Sequence, residues 1–197
     1  MLARHGAEAV GIDISEVSIG NAKSKAIQEG VGNNSRFFVM DAEELQFDAD
    51  CFDLVICGGV LHHLEVEKAY SELARVLKPD GEIICGEPLV HNPFIQHYRK
   101  RTPHLRTEWE TEHILSKDSL ELAENYFGKV DVRYFHLATL AAVPFRNTPV
   151  FKFVLSFLEA ADGFLLRLPF LKWQAWQVVF VLSQPKKPVI WEGALSC

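Results

Sequence analysis

No two of the four cysteines (Cys51, Cys57, Cys85 and Cys197) stand at the close spacing of a metal-binding knuckle. Cys57 and Cys85 fall inside apolar, strand-like runs and read as small core side chains. Without a paired-cysteine framework, the expected compartment is a reducing cytoplasm. Positive charge is also scarce. Lysine and arginine number 20 against 26 acidic residues, for a net charge of −6. That balance cannot supply the basic face that neutralises the phosphates of a nucleic acid. No basic-then-apolar leader opens the chain. The very apolar residues 150–171 are broken by Lys152, Glu159, Asp162, Arg167 and Pro169, too often for a membrane-spanning helix. Internal repeats and low-complexity tracts are absent as well.

The remaining shortage is of glycine in one particular place. Val10-Gly11-Ile12-Asp13-Ile14-Ser15 reads as a short buried strand that stops at an acid and turns into a helix. In doubly wound sheets ligands sit beyond the carboxyl ends of the strands, where an acid can grip both ribose hydroxyls. A glycine-rich loop is expected roughly 20 residues before such an acid. Only Met1 to Ala9 precede the strand, so the expectation is a nucleoside-type cofactor domain entered partway, with its first strand missing.

What is present fits one domain. The 197 residues are 48% apolar and 23% charged, enough for a sizeable core. We expect a domain over residues 1–184 and a frayed tail over 185–197. Along the chain, strand and helix periods alternate. A helical turn over 2–5 closes at Gly6, and strand 10–13 leads to a Ser15 cap and a helix over 17–29. Strands 36–40 and 52–57 follow, then a helix over 65–77 ended by Lys78-Pro79-Asp80-Gly81, then strand 82–86. Residues 89–115 are polar, with Pro93 and Pro103 breaking any long element. Ser116 caps a helix to Tyr126, and 130–137 and 175–182 read as strands. Such βαβ alternation implies an α/β fold with a parallel sheet and helices on both faces.

The ordered series Val10-Gly11-Ile12-Asp13-Ile14-Ser15, Met40-Asp41-Ala42-Glu43, Phe52-Asp53-Leu54-Val55, Val60-Leu61-His62-His63-Leu64 and Arg75-Val76-Leu77-Lys78-Pro79-Asp80-Gly81 resembles the class I S-adenosylmethionine-dependent methyltransferases. More narrowly, it resembles the small-molecule type 11 group. The likeness runs from about Leu2 to Glu87 and thins to topology beyond. It implies a Rossmann-like, doubly wound, mainly parallel sheet closed by a C-terminal antiparallel strand pair. It also implies S-adenosylmethionine as cofactor, a small-molecule acceptor, and cofactor contacts from Asp13, Ile14, Met40, Asp41, Ala42, Cys57, Gly58 and Gly59.

Each residue also has a plainer role. Asp13 reads as the ribose ligand, against a helix-start acid favoured by the dipole. Asp41 with Ala42 reads as an adenine contact, against a turn aspartate. Met40 lines the adenine pocket or simply fills core. Gly58-Gly59 allows close backbone approach to a ligand, or makes a tight turn. His62, His63 and Glu87 are the candidates for proton transfer. The histidines compete with a pocket-shaping role, and Glu87 with that of a polar strand terminator. No third ligand is spaced with the histidines, so no metal is expected.

Arg99, Lys100, Arg101 and Arg106 suit an anionic acceptor, or a solvated loop neutralised by Glu108, Glu110 and Glu112. Residues 150–171 suit a lid over a lipophilic acceptor or a peripheral membrane contact, or more simply an amphipathic helix packed on the sheet. Two other classes compete with methyl transfer. A nicotinamide-dependent oxidoreductase also ends its second strand in an acid. A non-catalytic remnant or interaction module would explain the missing loop, and on that reading this chain is an inactive fragment.

Overall fold

The computed structural model describes residues 2–102, 104 and 113–187. They divide into two compact units, one up to Asp48 and one from Ala49 onward.

The first unit is a βαβ element. A 3-10 turn, Leu2–His5, ends at Gly6, whose φ of +90° is the left-handed geometry that favours glycine. Strand β1 (Ala9–Asp13) leads to helix α1 (Glu16–Gln28), capped by the Ser15 hydroxyl, which accepts from the Ser18 amide. Strand β2 (Ser35–Val39) runs parallel to β1, from the pair Ala9 and Ser35 to the pair Asp13 and Val39. Gly11 is a glycine because a Cβ there would stand 2.9 Å from the Phe37 ring. Asn34 Nδ2 donates to the carbonyls of Ala3 (2.8 Å) and Ala7 (3.0 Å), tying the opening turn to the crossover.

The second unit is a mixed sheet with helices. In chain order it comprises β3 (Phe52–Gly58), α2 (Val66–Val76), β4 (Leu77–Pro88), α3 (Pro93–Arg101), α4 (Lys117–Tyr126), β5 (Phe127–Phe135), α5 (Phe151–Leu165) and β6 (Gln177–Pro185). The strand order is β3-β4-β6-β5. β3 and β4 are parallel, and β6 runs antiparallel to both β4 and β5. The expected α/β architecture is therefore present, with parallel pairs first and an antiparallel closing pair, spread over two sheets. Tyr70 and Leu73 from α2, Ile83 from β4, Leu120 from α4, Phe127 from β5, and Phe180 and Leu182 from β6 form the core.

The local readings hold along α1, α2 and α4, and they differ in four places. The turn expected at 78–81 is a bulge inside β4. Phe52 pairs with Leu77 and Leu54 with Glu82, so β4 carries the extra residues. Pro79 is tolerated there because a bulged residue owes the ladder no donor, and a Cβ on Gly81 would lie 3.0 Å from the Asp53 carbonyl oxygen. Pro93 does not break a helix but begins one. The Asn92 side chain accepts from the amides of Phe94 (3.0 Å) and Ile95 (3.1 Å), with Pro93 in the first turn, where its missing N–H costs nothing.

The third difference is at 185. Lys186 N still donates to the Tyr126 carbonyl (2.7 Å), and Lys187 Nζ donates to that of Leu77 (2.6 Å). Residues 188–197 lie outside the described residues. The fourth concerns the apolar stretch. The helix expected to pack its apolar side on the sheet instead buries one residue, Asp162, and turns phenylalanines outward. No described helix is long and apolar enough to cross a membrane.

One core group is anomalous. Tyr70 is fully buried, edge-on to Phe127 (ring centroids 6.2 Å apart), and its hydroxyl has no hydrogen-bond partner among the described residues. Burial pushes its pKa up. A buried, unpaired hydroxyl is a net cost, so Tyr70→Phe is expected to be neutral or to stabilise the protein by about 1 kcal/mol. Urea denaturation measures this, and a loss of stability would reveal a partner for the hydroxyl.

Candidate active site

In the first unit the parallel pairing of β1 and β2 brings two acids to adjacent carboxyl ends. Val39 is the register partner of Asp13, and Met40 N donates to the Asp13 carbonyl at 3.1 Å. Asp41 follows immediately. Each carboxylate is held by its own loop. Asp13 Oδ1 accepts from Ser15 N at 2.8 Å, and Asp41 Oδ1 accepts from Glu43 N at 2.9 Å. Both side chains are exposed, and neither Oδ2 has a partner among the described residues. Each acid is thus oriented through one oxygen and offers the other.

Ile14, directly after the ribose-binding candidate, is 75% exposed, an apolar surface suited to a planar ring. Ala42 is half-buried beside Asp41. Met40 is buried and reads as core filler rather than as pocket lining. A cavity of about 440 Å³ in this unit lies elsewhere, at the amino end of β2 among Lys23, Ile27, Arg36 and Phe38.

In the second unit the centre is Glu87. Its side chain is fully buried at the end of β4, between flanking strands β3 and β6. Oε1 accepts from the amides of Val60 and Leu61, both at 2.9 Å, and Oε2 lies 2.7 Å from His62 Nδ1. A carboxylate only accepts, so Nδ1 is the donor, and in the neutral imidazole this leaves the lone pair on Nε2. This is how an imidazole is oriented as a proton acceptor. His63 stacks beside it, with ring centroids 4.1 Å apart and tilted by 36°, and is itself exposed.

Gly59 makes the turn that brings this loop back. Its φ is +66°, and its amide donates to the Gly86 carbonyl at 2.8 Å. Gly58 has open space where a Cβ would be. Cys57 and Cys85 are register partners on β3 and β4. The hydrogen bond between these free thiols lowers the pKa of Cys57 and raises that of Cys85, with burial adding to the latter. No group of three metal-ligating side chains occurs among the described residues.

The structure therefore brings Asp13 and Asp41 together in one unit, and Gly59, His62, His63 and Glu87 together in the other. The basic cluster disperses. Arg99 is buried in α3, where its Nη1 donates to the Leu89 carbonyl at 3.0 Å. Lys100 and Arg101 are exposed, and Arg106, Glu108, Glu110 and Glu112 lie outside the described residues. Sequence reasoning missed the clamp of Glu87 on the Val60 and Leu61 amides. Its only signal was an acid at a strand end, 25 residues from the histidine it holds.

The methyltransferase domain family matches residues 1–85. The uncharacterized methyltransferase YcgJ of Bacillus subtilis is 37% identical over 115 residues, which are 52% of this chain and 45% of that protein. Its crystal structure aligns with a TM-score of 0.57 over 92% of this chain and 83% of the other, at 23% identity. The ubiquinone/menaquinone biosynthesis C-methyltransferase UbiE of Rickettsia prowazekii is 41% identical over 76 residues, 38% of this chain and 31% of that one. A geranyl diphosphate C-methyltransferase from Streptomyces coelicolor, solved with Mg2+, geranyl diphosphate and S-adenosyl-L-homocysteine, shares the fold. Its TM-score is 0.59 at 14% identity, over 93% of this chain and 65% of that one. The chain spans less than half the length of the curated relatives it matches. Neither the nicotinamide reading nor the non-catalytic one finds support among these relatives. Residues 1–85 are thus similar to the methyltransferase domain family, and the chain shares its α/β fold with YcgJ and with the geranyl diphosphate C-methyltransferase.

Proposed function

We propose that this protein transfers a methyl group from S-adenosylmethionine to a lipophilic small-molecule acceptor. The observation that carries the reading is the pair of half-engaged acids, Asp13 and Asp41, at adjacent strand ends within the family match. Their free carboxylate oxygens suit the hydroxyl and amino donors of an adenosine, Asp13 toward the ribose and Asp41 with Ala42 toward the adenine. The exposed face of Ile14 supplies apolar contact for the ring. These residues fit the adenosine half of the cofactor.

When bound, the cofactor supplies an electrophilic methyl group, and the protein's task is chiefly alignment. Where the acceptor atom starts protonated, a base is needed. We assign that role to His62 through Nε2, with Glu87 as the positioning residue that holds Nδ1 and the loop. Gly59 sets the loop's turn, and His63 packs against His62. A lipophilic acceptor is supported by two relatives whose names specify C-methylation in ubiquinone/menaquinone biosynthesis and of geranyl diphosphate.

Calorimetric titration of the full chain with S-adenosylmethionine tests the cofactor assignment, with a nicotinamide dinucleotide as the control. Asp13→Ala is expected to weaken binding by about 1–3 kcal/mol, the scale of lost charge-assisted hydrogen bonds. The carboxylate is exposed and its loop bond is local, so the fold should survive. Unchanged affinity, or preference for the dinucleotide, would overturn the reading.

A further inference from the structure

The surface of α5 is not used by the proposed reaction. Phe153, Phe157 and Phe164 are 78%, 68% and 67% exposed. At 3.6 residues per turn they fall, with Ala160, on one stripe roughly 60° wide. Asp162 projects from the opposite side of the same helix. It accepts from the amides of Leu137, Ala138 and Thr139 and from the Thr139 hydroxyl. The roll of the helix is therefore set by a buried carboxylate, and the stripe is held outward. Val150 and Phe170, flanking the helix, are exposed too. Soluble surfaces rarely gather large apolar side chains in this way without a partner.

Charge selects the partner. Arg146, Lys152 and Arg167 are exposed in this segment, and none forms an ion pair among the described residues. Lys172 follows, 5.4 Å from the Tyr134 ring centroid. Glu159 is the one exposed acid between residues 138 and 176, because Asp162 is buried. In a chain of net charge −6 this is a local reversal of sign. A second copy docked face to face would set these cations against one another. An anionic bilayer, with an apolar layer beneath a negative surface, matches both the stripe and its rim.

We propose that α5 is an interfacial helix that seats this protein on anionic membrane surfaces. Phe153, Phe157 and Phe164 enter the headgroup–acyl boundary, and Arg146, Lys152 and Arg167 meet the lipid headgroups. At 15 residues and 1.5 Å per residue, α5 is about 22 Å long. It lies in the plane of the interface and does not span the bilayer. The inference stands apart from methyl transfer, because its readout is lipid binding.

Co-sedimentation of the full chain with vesicles tests it. Binding is expected to phosphatidylglycerol–phosphatidylcholine vesicles and not to phosphatidylcholine alone, weakening as salt rises. The double variant Phe153→Glu, Phe157→Glu should reduce binding by roughly tenfold or more, and Lys152→Glu with Arg167→Glu should reduce it on anionic vesicles. The altered side chains point to solvent, and circular dichroism checks the fold. If the double glutamate variant fails to fold, Phe157→Ser carries the test instead. No binding to anionic vesicles, equal binding to neutral ones, or no response to the stripe variants would overturn the proposal. So would a dimer in solution that the stripe variants dissociate, which would give the face to a second copy.

Discussion

Glu87→Ala is expected to cost the protein roughly 3 kcal/mol of stability and to release the loop that carries His62. The carboxylate is buried and accepts three hydrogen bonds, two from backbone amides and one from the imidazole. Removing it leaves the amides of Val60 and Leu61 without a partner, and a donor buried unpaired costs about 1–3 kcal/mol. Glu87→Gln keeps the volume but turns a donor toward at least one of the three donors. Its loss should be smaller, about 1–2 kcal/mol. His62→Asn leaves both amide bonds to Glu87 in place, so its stability should change by less than about 1 kcal/mol. Denaturant titration orders the three variants. Nitrogen-15 spectra of the imidazole add a readout that a merely structural glutamate would not move. Wild type is expected to hold the proton on Nδ1, and Glu87→Gln to lose that preference. Equal tautomer populations in both proteins would remove Glu87 from its positioning role.

Asp162→Ala should be comparably damaging, at about 3 kcal/mol, because one carboxylate serves four donors. It caps the start of the 3-10 helix Ala138–Phe145 from a helix some 25 residues downstream, and an acid there also meets the favourable end of the helix dipole. Asp162→Asn retains one acceptor oxygen and should lose about half as much. Thermal melts followed by circular dichroism measure both. A near-neutral Asp162→Ala would mean that the surrounding packing, not the carboxylate, sets the roll of α5.

Much of the first unit could be read directly from the chain. The strand of Val10 to Asp13, the Ser15 cap and the loop bond that holds each acid depend on neighbours within a few residues, whereas the adjacency of Asp13 and Asp41 comes from the pairing of β1 with β2. The β3–α2–β4 unit was legible for the same reason. The failures share a different cause. Asn92 and Pro93 start a helix whose signal was mistaken for a break, because proline is a stop inside a helix and a start at its first turn. The bulge at 78–81 depends on how β4 pairs with β3, which no window of sequence contains. Asp162 looked like an interruption on an amphipathic face. Its burial depends on three amides from another segment, and it lies on the same side of the helix as the half-buried Val154, Leu155, Leu158 and Leu165. The candidate site divides in the same way. The acids and histidines could be named, but the clamp of Glu87 on the loop is a long-range contact.

The placement of β6 has a consequence for how the molecule comes into being. Strand β4 carries Glu87 and pairs on one side with β3, close in sequence, but on the other with Gln177–Pro185, nearly the last described stretch of chain. Val178 is the register partner of Glu87 itself. During synthesis the residues around His62 and Glu87 emerge well before Gln177–Pro185, so one flank of their supporting strand stays bare until that later segment follows. For that interval an apolar strand edge is open to the wrong partner. The contact between His62 and Glu87 is made within one stretch of chain, and the strand that holds it is flanked by another made later.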